Sequence, residues 1–242
     1  MTTLYGWGPM FGCPSASPYV MKSEIQLQML GIDFDRAIAD LESVSKHKAP
    51  YVHDEGKVIE DSNFIRAYFE EKLGKRLTAG LSEREEAASW SFERMAEGHL
   101  AALIMMERWL KEANFNKGPR LFFEDAPPHM RDEICKTVRQ ELEQTQIGAG
   151  FGRHSHEERL QLANWDIEAI ALQLGARDFL FGDWPTAADA SVASMLISAA
   201  TPYFDTPLAQ MVRRHDNLEA YMERMTETFL AEDKWPEMEM AL

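Results

Sequence analysis

Residues 32–38 (IDFDRAI) alternate apolar and polar side chains, the period-two pattern of a strand with one buried face. Residues 2–7 (TTLYGW) mix β-branched and aromatic types and predict an earlier strand. Between them, Gly, Pro and Ser dominate residues 8–18, a loop. Ser17 and Pro18 then open a helix, as N-cap and first helical residue, and Gly31 ends it. Two short strands, YVHD and KVIE, flank Glu55-Gly56, and a two-residue connection makes them a hairpin. Asp61-Ser62 opens another helix, which ends at Gly74. With a short polar helix or loop at 40–48, the predicted order is strand, helix, strand, helix, two strands in a hairpin, helix.

Beyond residue 82 the period becomes entirely helical. Ser82 with Glu85 is a capping box that starts a long Ala-, Glu-, Met- and Leu-rich stretch over 83–113. Pro127-Pro128 precede a helix over about 128–146, and Gly148, Gly150 and Gly152 then break the chain. Ser155 with Glu158 opens a third helix that runs to Leu174, and Thr186 with Asp189 opens an apolar fourth. Two shorter helices follow near 207–214 and 217–230. The chain thus reads as α+β: a four-stranded mixed sheet domain over 1–76, then an all-α domain over 82–242.

Composition narrows the functional classes. Of 242 residues, 45% are hydrophobic and 27% charged, which suits a chain that buries a core. The net charge of −15 argues against nucleic acid or an anionic membrane as partner. An anionic small substrate therefore needs a local positive site. No apolar run reaches the 18 or so residues of a membrane span, and no secretory leader is seen. Cys13 and Cys135, the two cysteines, are spaced neither as zinc ligands nor as a redox pair, so a cytoplasmic location is expected.

Three segments resemble the glutathione transferases. SPYVMKSEIQLQMLGIDFD is similar to their first helix and second strand. KAPYVHDEGKVIEDSNFIRAYFEEKLG is similar to the segment that carries their proline, hairpin and following helix. FLFGDWPTAADASV is similar to a motif of their helical domain. FGRHSHEE and GPMFGCPSASPYVMK point to the branch that contains failed-axon-connections and metaxin-like proteins. The resemblance implies a thioredoxin-like first domain, a helical second domain and a homodimer. It also implies glutathione as cosubstrate, a small apolar electrophile as its acceptor, and conjugation of the kind used in detoxification. No metal or organic cofactor is implied.

The site residues follow partly from chemistry and partly from the resemblance. A helix N-terminus offers free N–H groups to a carboxylate, so Asp61 and Ser62 are candidates for the γ-glutamyl end of glutathione. The resemblance implies a cis peptide bond before Pro50, which turns the Ala49 backbone toward the cysteinyl part of the ligand. Lys48 is a candidate partner for the glycyl carboxylate. The nucleophile is the thiolate, which needs a donor and a positive field. Ser17 has a hydroxyl at a helix N-terminus, and the resemblance aligns it with the catalytic serine. Ser15, Tyr5 and a backbone N–H remain alternatives. Cys13, followed by proline, resembles the cysteine of thiol-transferring members and would make the protein a reductase. A non-catalytic binding or scaffolding protein on the same fold is the other alternative. His154 and His156 lack companions at metal-ligand spacing, and Arg153 is a candidate for the substrate side of the cleft.

Overall fold

A computed structural model of the chain describes residues 1–231 and 234–236. Four strands form one sheet: β1 (Thr2–Gly6), β2 (Phe34–Ile38), β3 (Tyr51–Asp54) and β4 (Lys57–Glu60), in the order β2-β1-β3-β4. β1 pairs parallel with β2 and antiparallel with β3, and β3 with β4 is the hairpin, so the sheet is mixed. Glu55 and Gly56, both at positive φ (49° and 81°), make its two-residue turn. Such a turn matches the right-handed twist of the strands it joins. Helices α1 (Pro18–Leu30) and α2 (Ser62–Leu73) cover one face of the sheet. Leu4, Val20, Leu27, Val52, Ile65 and Phe69 form the core between them.

The rest of the described chain is helical: α3 (Glu83–Met95), α4 (Ala101–Trp109), α5 (Glu112–Lys117), α6 (Pro128–Ala149), α7 (His156–Leu174), α8 (Ala187–Ala200), α9 (Pro207–Arg213) and α10 (Asp216–Phe229). α8 runs through the middle of this bundle and is buried over nearly its whole length. The Asp189 carboxylate organises its start, accepting bonds from Leu180 N, Thr186 N and Oγ1, and the Tyr221 hydroxyl at 2.7–3.0 Å. Burial pushes this carboxyl up, against the pull of those donors.

α1 is the link between sheet and bundle. Val20, Leu27 and Leu30 join the sheet core, whereas Met21 and Ile25 join the helical core. A helix buried on both sides cannot leave its polar residues in water, so they must pair. Lys22 Nζ donates to Glu97 Oε1 and Asn63 Oδ1, both at 2.7 Å, and Glu24 pairs with Arg36.

Local chemistry explains three departures from the expected pattern. β2 begins at Phe34 rather than 32, because Ile32 N is spent on Leu27 O in the cap that closes α1 around Gly31. The expected helix over 83–113 is interrupted by a wide π-type turn over Ala96–Leu100. It then stops at Trp109, where Arg139 takes the Trp109 and Leu110 carbonyls and Asn114 Nδ2 takes Glu107 O. Those bonds satisfy carbonyls that a helix end leaves open. Finally, the loop over 8–17 is anchored to the bundle. Phe11 packs against Phe122, Tyr203 and Phe204, and Thr201 Oγ1 donates to Phe11 O at 2.6 Å.

Candidate functional site

The Ala49-Pro50 peptide bond is cis. Pro50 immediately precedes β3 and is tied to the residue before α2, since Asp61 N donates to Pro50 O at 3.3 Å. Asp61 has φ 82°, a positive value that side chains other than glycine rarely take, and it caps α2 by accepting Asn63 N at 2.8 Å. Residues held at such angles cluster at ligand sites. Ser62, the first residue of α2, is buried. Lys48, Ala49, Pro50, Asp61 and Ser62 all line one cleft of about 800 Å³, together with Tyr19, Lys46, Asn63 and Arg94.

A second cleft of about 920 Å³ adjoins it on the helical side. Tyr19, Glu97, Gly98 and Met105 line both, so the two form one continuous groove. Trp7, Ala101, Ala102, Ile104, Trp109 and Phe151 make much of this second wall apolar. Ser17 lies in it at the N-terminus of α1, next to Pro18. Its hydroxyl does not cap the helix, and no described group bonds it. It is thus open to a ligand at the end of α1 where the helix dipole is positive.

The alternatives to Ser17 are placed differently. Ser15 is fully buried, with Oγ donating to Trp7 O at 2.5 Å and accepting Ser17 N. Its role is to hold the loop that presents Ser17. Tyr5 stacks on Tyr51 at 4.6 Å and packs on His53, away from both clefts. Cys13 is 4% exposed and turned toward the carbonyls of Phe11 and Ile197. Burial pushes its thiol up, opposed by Arg108 and Thr201, so it is held as a thiol. Arg153 does not line either cleft; its guanidinium bonds Ile147 O. His156 Nε2 lies 2.8 Å from a Glu107 oxygen, whereas His154 stands exposed at the groove. Among the described residues no three His, Cys, Asp or Glu side chains come together as a metal site.

Several residues of the groove were not singled out from the sequence. Arg108 on α4 is 5% exposed and has no carboxylate partner among the described residues. It donates to Ala16 O at 3.2 Å and Ser198 O at 2.7 Å, and lies 3.9 Å from Cys13 Sγ. Burial pulls its pKa down, but a guanidinium keeps its charge. A buried cation therefore stands one residue from Ser17 in a chain of strongly negative net charge. Tyr19 sits where the two clefts meet; burial, with the Glu97 charge adding, pushes its phenol up to about 12, so it stays neutral. Glu97 and His99 enter the groove from the wide turn between α3 and α4. Such a turn carries one more residue than an α-turn and re-aims its side chains, which is why π-turns recur at functional sites. Glu97 faces α1 and α8 through Lys22 and Ser191, whereas His99 faces α7 through Asp166.

A four-stranded mixed sheet with a cis proline just before β3, fused to a helical bundle, is a thioredoxin-like domain followed by an all-helical one. Residues 18–114 match the family model of the glutathione S-transferase N-terminal domain, and residues 163–225 that of the C-terminal domain. The chain is 32% identical over 237 residues to the isoprene-epoxide–glutathione S-transferase of Rhodococcus sp. (strain AD45), covering 95% of this chain and 99% of the relative. The chain belongs to the glutathione S-transferase family. It is also 26% identical over 227 residues to Failed axon connections of Drosophila melanogaster, where it covers 88% of this chain but spans only 54% of that relative. In structure it resembles a glutathione S-transferase of Ceriporiopsis subvermispora solved with glutathione, at a TM-score of 0.63 and 16% identity over 98% of this chain and 99% of the other.

Proposed function

We propose that this chain transfers glutathione, as its thiolate, to a small apolar epoxide. The carrying observation is the continuous groove, with a cis-proline edge and a helix N-terminus at one end and Ser17, Arg108 and an apolar wall at the other. In this reading Asp61, Ser62 and the N-terminus of α2 hold the γ-glutamyl end, Ala49 and Pro50 align the cysteinyl backbone, and Lys48 meets the glycyl carboxylate. The sulfur then lies toward Ser17. The Ser17 hydroxyl donates to it, and the α1 dipole and Arg108 supply the positive field that favours thiolate over thiol. Catalysis is thiolate stabilisation plus alignment with the electrophile, and neither metal nor organic cofactor is required. The epoxide class comes from the Rhodococcus relative, whose name states that substrate and which matches along nearly its whole length.

The same reading divides the chain into a glutathione-binding domain over 1–76 and a helical domain over 82–242. It assigns a homodimer, which exposed Phe64 on α2 and Trp90 on α3 support as a pairing surface. It assigns the cytoplasm, which suits two unpaired cysteines; among the described residues no helix is long and apolar enough to cross a membrane.

Titration calorimetry with glutathione, followed by conjugation assays with an epoxide and an aryl halide, tests the reading. Saturable binding and conjugation are expected. Absence of binding would remove it. Binding without conjugation would favour a non-catalytic glutathione-fold protein, a reading that the similarity to Failed axon connections motivates. The reductase reading draws no support from a cysteine as buried as Cys13, whose thiol burial pushes up.

A further inference from the structure

Opening an epoxide with a thiolate leaves a problem that thiolate stabilisation does not address. The sulfur attacks a ring carbon, a C–S bond forms, the C–O bond breaks, and its electron pair stays on oxygen. That oxygen needs a proton. Among the described residues lining the helical-side cleft, few can deliver one. Arg108 holds its protons and spends them on carbonyls. Tyr19 is directed to Glu97 O at 3.4 Å, and Glu97 is an acceptor for Lys22 and Ser191. His154 is exposed, and its nearest carboxylate, Glu158, is 3.9 Å away.

His99 is different. Its Nδ1 lies 2.9 Å from Asp166 Oδ2, and its ring stacks on Phe151 at 5.5 Å with planes 16° apart. Asp166 itself is buried on α7, and its side chain has no other partner among the described residues. A carboxylate only accepts, so Nδ1 carries a proton and Nε2 is the nitrogen left for the groove. The ring is thus fixed in plane and rotation by two elements, yet 43% of its side chain is open. A histidine buttressed in this way, beside an apolar cleft, has the build of a proton donor to a bound substrate.

We propose that His99, oriented by Asp166, is the catalytic acid that protonates the epoxide oxygen as the thiolate attacks. This rests on the transferase reading above and deepens it. In the doubly protonated ring, Nδ1–H donates to Asp166 and Nε2–H passes to the developing alkoxide. The products are a β-hydroxy thioether and a ring that regains its proton from the one lost when the thiol became thiolate, so the turnover is balanced. Asp166 is a positioning residue. An aryl halide needs no such help, because chloride leaves without a proton.

The test is the ratio of kcat/KM for an epoxide to kcat/KM for 1-chloro-2,4-dinitrobenzene, measured on wild type, His99→Ala, His99→Gln and Asp166→Asn. A positioned general acid contributes about a hundred-fold or more. The ratio is expected to fall about a hundred-fold in both His99 variants and about ten-fold in Asp166→Asn. Circular dichroism and thermal melting report folding in the same samples, and His99→Gln keeps a polar side chain of similar size should alanine disturb the contact with Phe151. Equal loss for both electrophiles would reduce His99 to a shape-giving residue and overturn the proposal. An unchanged ratio would also overturn it. A wild type that conjugates the aryl halide but no epoxide would overturn it while leaving the transferase reading intact. Failure on both electrophiles would remove both.

Discussion

On the sheet side of the groove the groups we assign to glutathione are largely main-chain: the backbone at Ala49-Pro50 and the free N–H groups where α2 begins. On the helical side they are side chains, and they come from separate elements: Ser17 from α1, Glu97 and His99 from the wide turn, Arg108 from α4, Phe151 from the segment after α6. The difference fits the two halves of the proposed reaction. One cosubstrate is constant, and a backbone cradle binds it by a conformation that many sequences can adopt. The other is variable, and side chains on a helical scaffold can be changed without disturbing that cradle. The two walls meet at Tyr19 and Glu97, which line both.

The sharpest way to break this contrast is to damage the sheet-side wall. Asp61→Ala combined with Ser62→Ala removes the cap acceptor and the hydroxyl at the α2 N-terminus. Hydrogen bonds to charged groups contribute about 1.5–3 kcal/mol each. Glutathione affinity by calorimetry is therefore expected to fall about a hundred-fold. Asp61 also sets the entry to α2, so circular dichroism must accompany the titration. Unchanged affinity would mean that neither side chain touches the ligand, and the assignment of Asp61 and Ser62 to the γ-glutamyl end would be lost.

Ser17 tests the join between them. Its change to alanine is expected to lower kcat about ten- to a hundred-fold while glutathione affinity changes much less, because the lost donor acts on the charged nucleophile. The sequence marks Ser17 as the N-cap of α1. The hydroxyl makes no capping bond, so melting temperature is expected to move little. Stopped-flow conjugation with the aryl halide, alongside calorimetry, separates the two effects. Full activity in this variant would hand the thiolate to a backbone N–H.

This contrast also explains what could be read in advance. The order of elements along the chain, the hairpin and most helix starts follow from period, turn residues and capping boxes, all local signals. Pro50 and Asp61-Ser62 are visible locally as a proline at a strand entry and a cap pair before a helix, but only the family resemblance turns them into candidates for a ligand site. Lys48, Ala49, Pro50, Asp61 and Ser62 indeed share one cleft. The helical wall is not local. His99 and Asp166 are 67 positions apart in the chain and Arg108 and Ala16 are 92 apart, so no spacing rule joins them. The wide turn that aims His99 was hidden inside a run with ordinary helical composition. Gly98, within that turn, was the one local hint. The loop over 8–17 misled in the opposite direction: its Gly, Pro and Ser content suggests a free loop, but Phe11 and Cys13 bury it against the bundle.

Cys13 provides the smallest expected effect and a useful boundary to the comparison. It belongs to neither wall. Its sulfur sits 3.9 Å from the Arg108 guanidinium and near the Ile197 carbonyl. If the protein used a mixed disulfide, that sulfur would have to ionise and meet the ligand. Burial works against both, since it disfavours the thiolate and leaves 4% of the residue exposed. Cys13→Ala removes one buried sulfur, and the bonds of Arg108 to Ala16 O and Ser198 O remain. Epoxide and aryl-halide conjugation are therefore expected to stay within about three-fold of wild type, with a loss of roughly 1 kcal/mol in stability from the small cavity. Reduction of a glutathione mixed disulfide should be negligible in both proteins. A wild type that reduces such a disulfide rapidly, with the activity gone in Cys13→Ala, would mean that the loop over 8–17 opens in solution. The groove would then be a thiol-exchange site rather than a conjugation site.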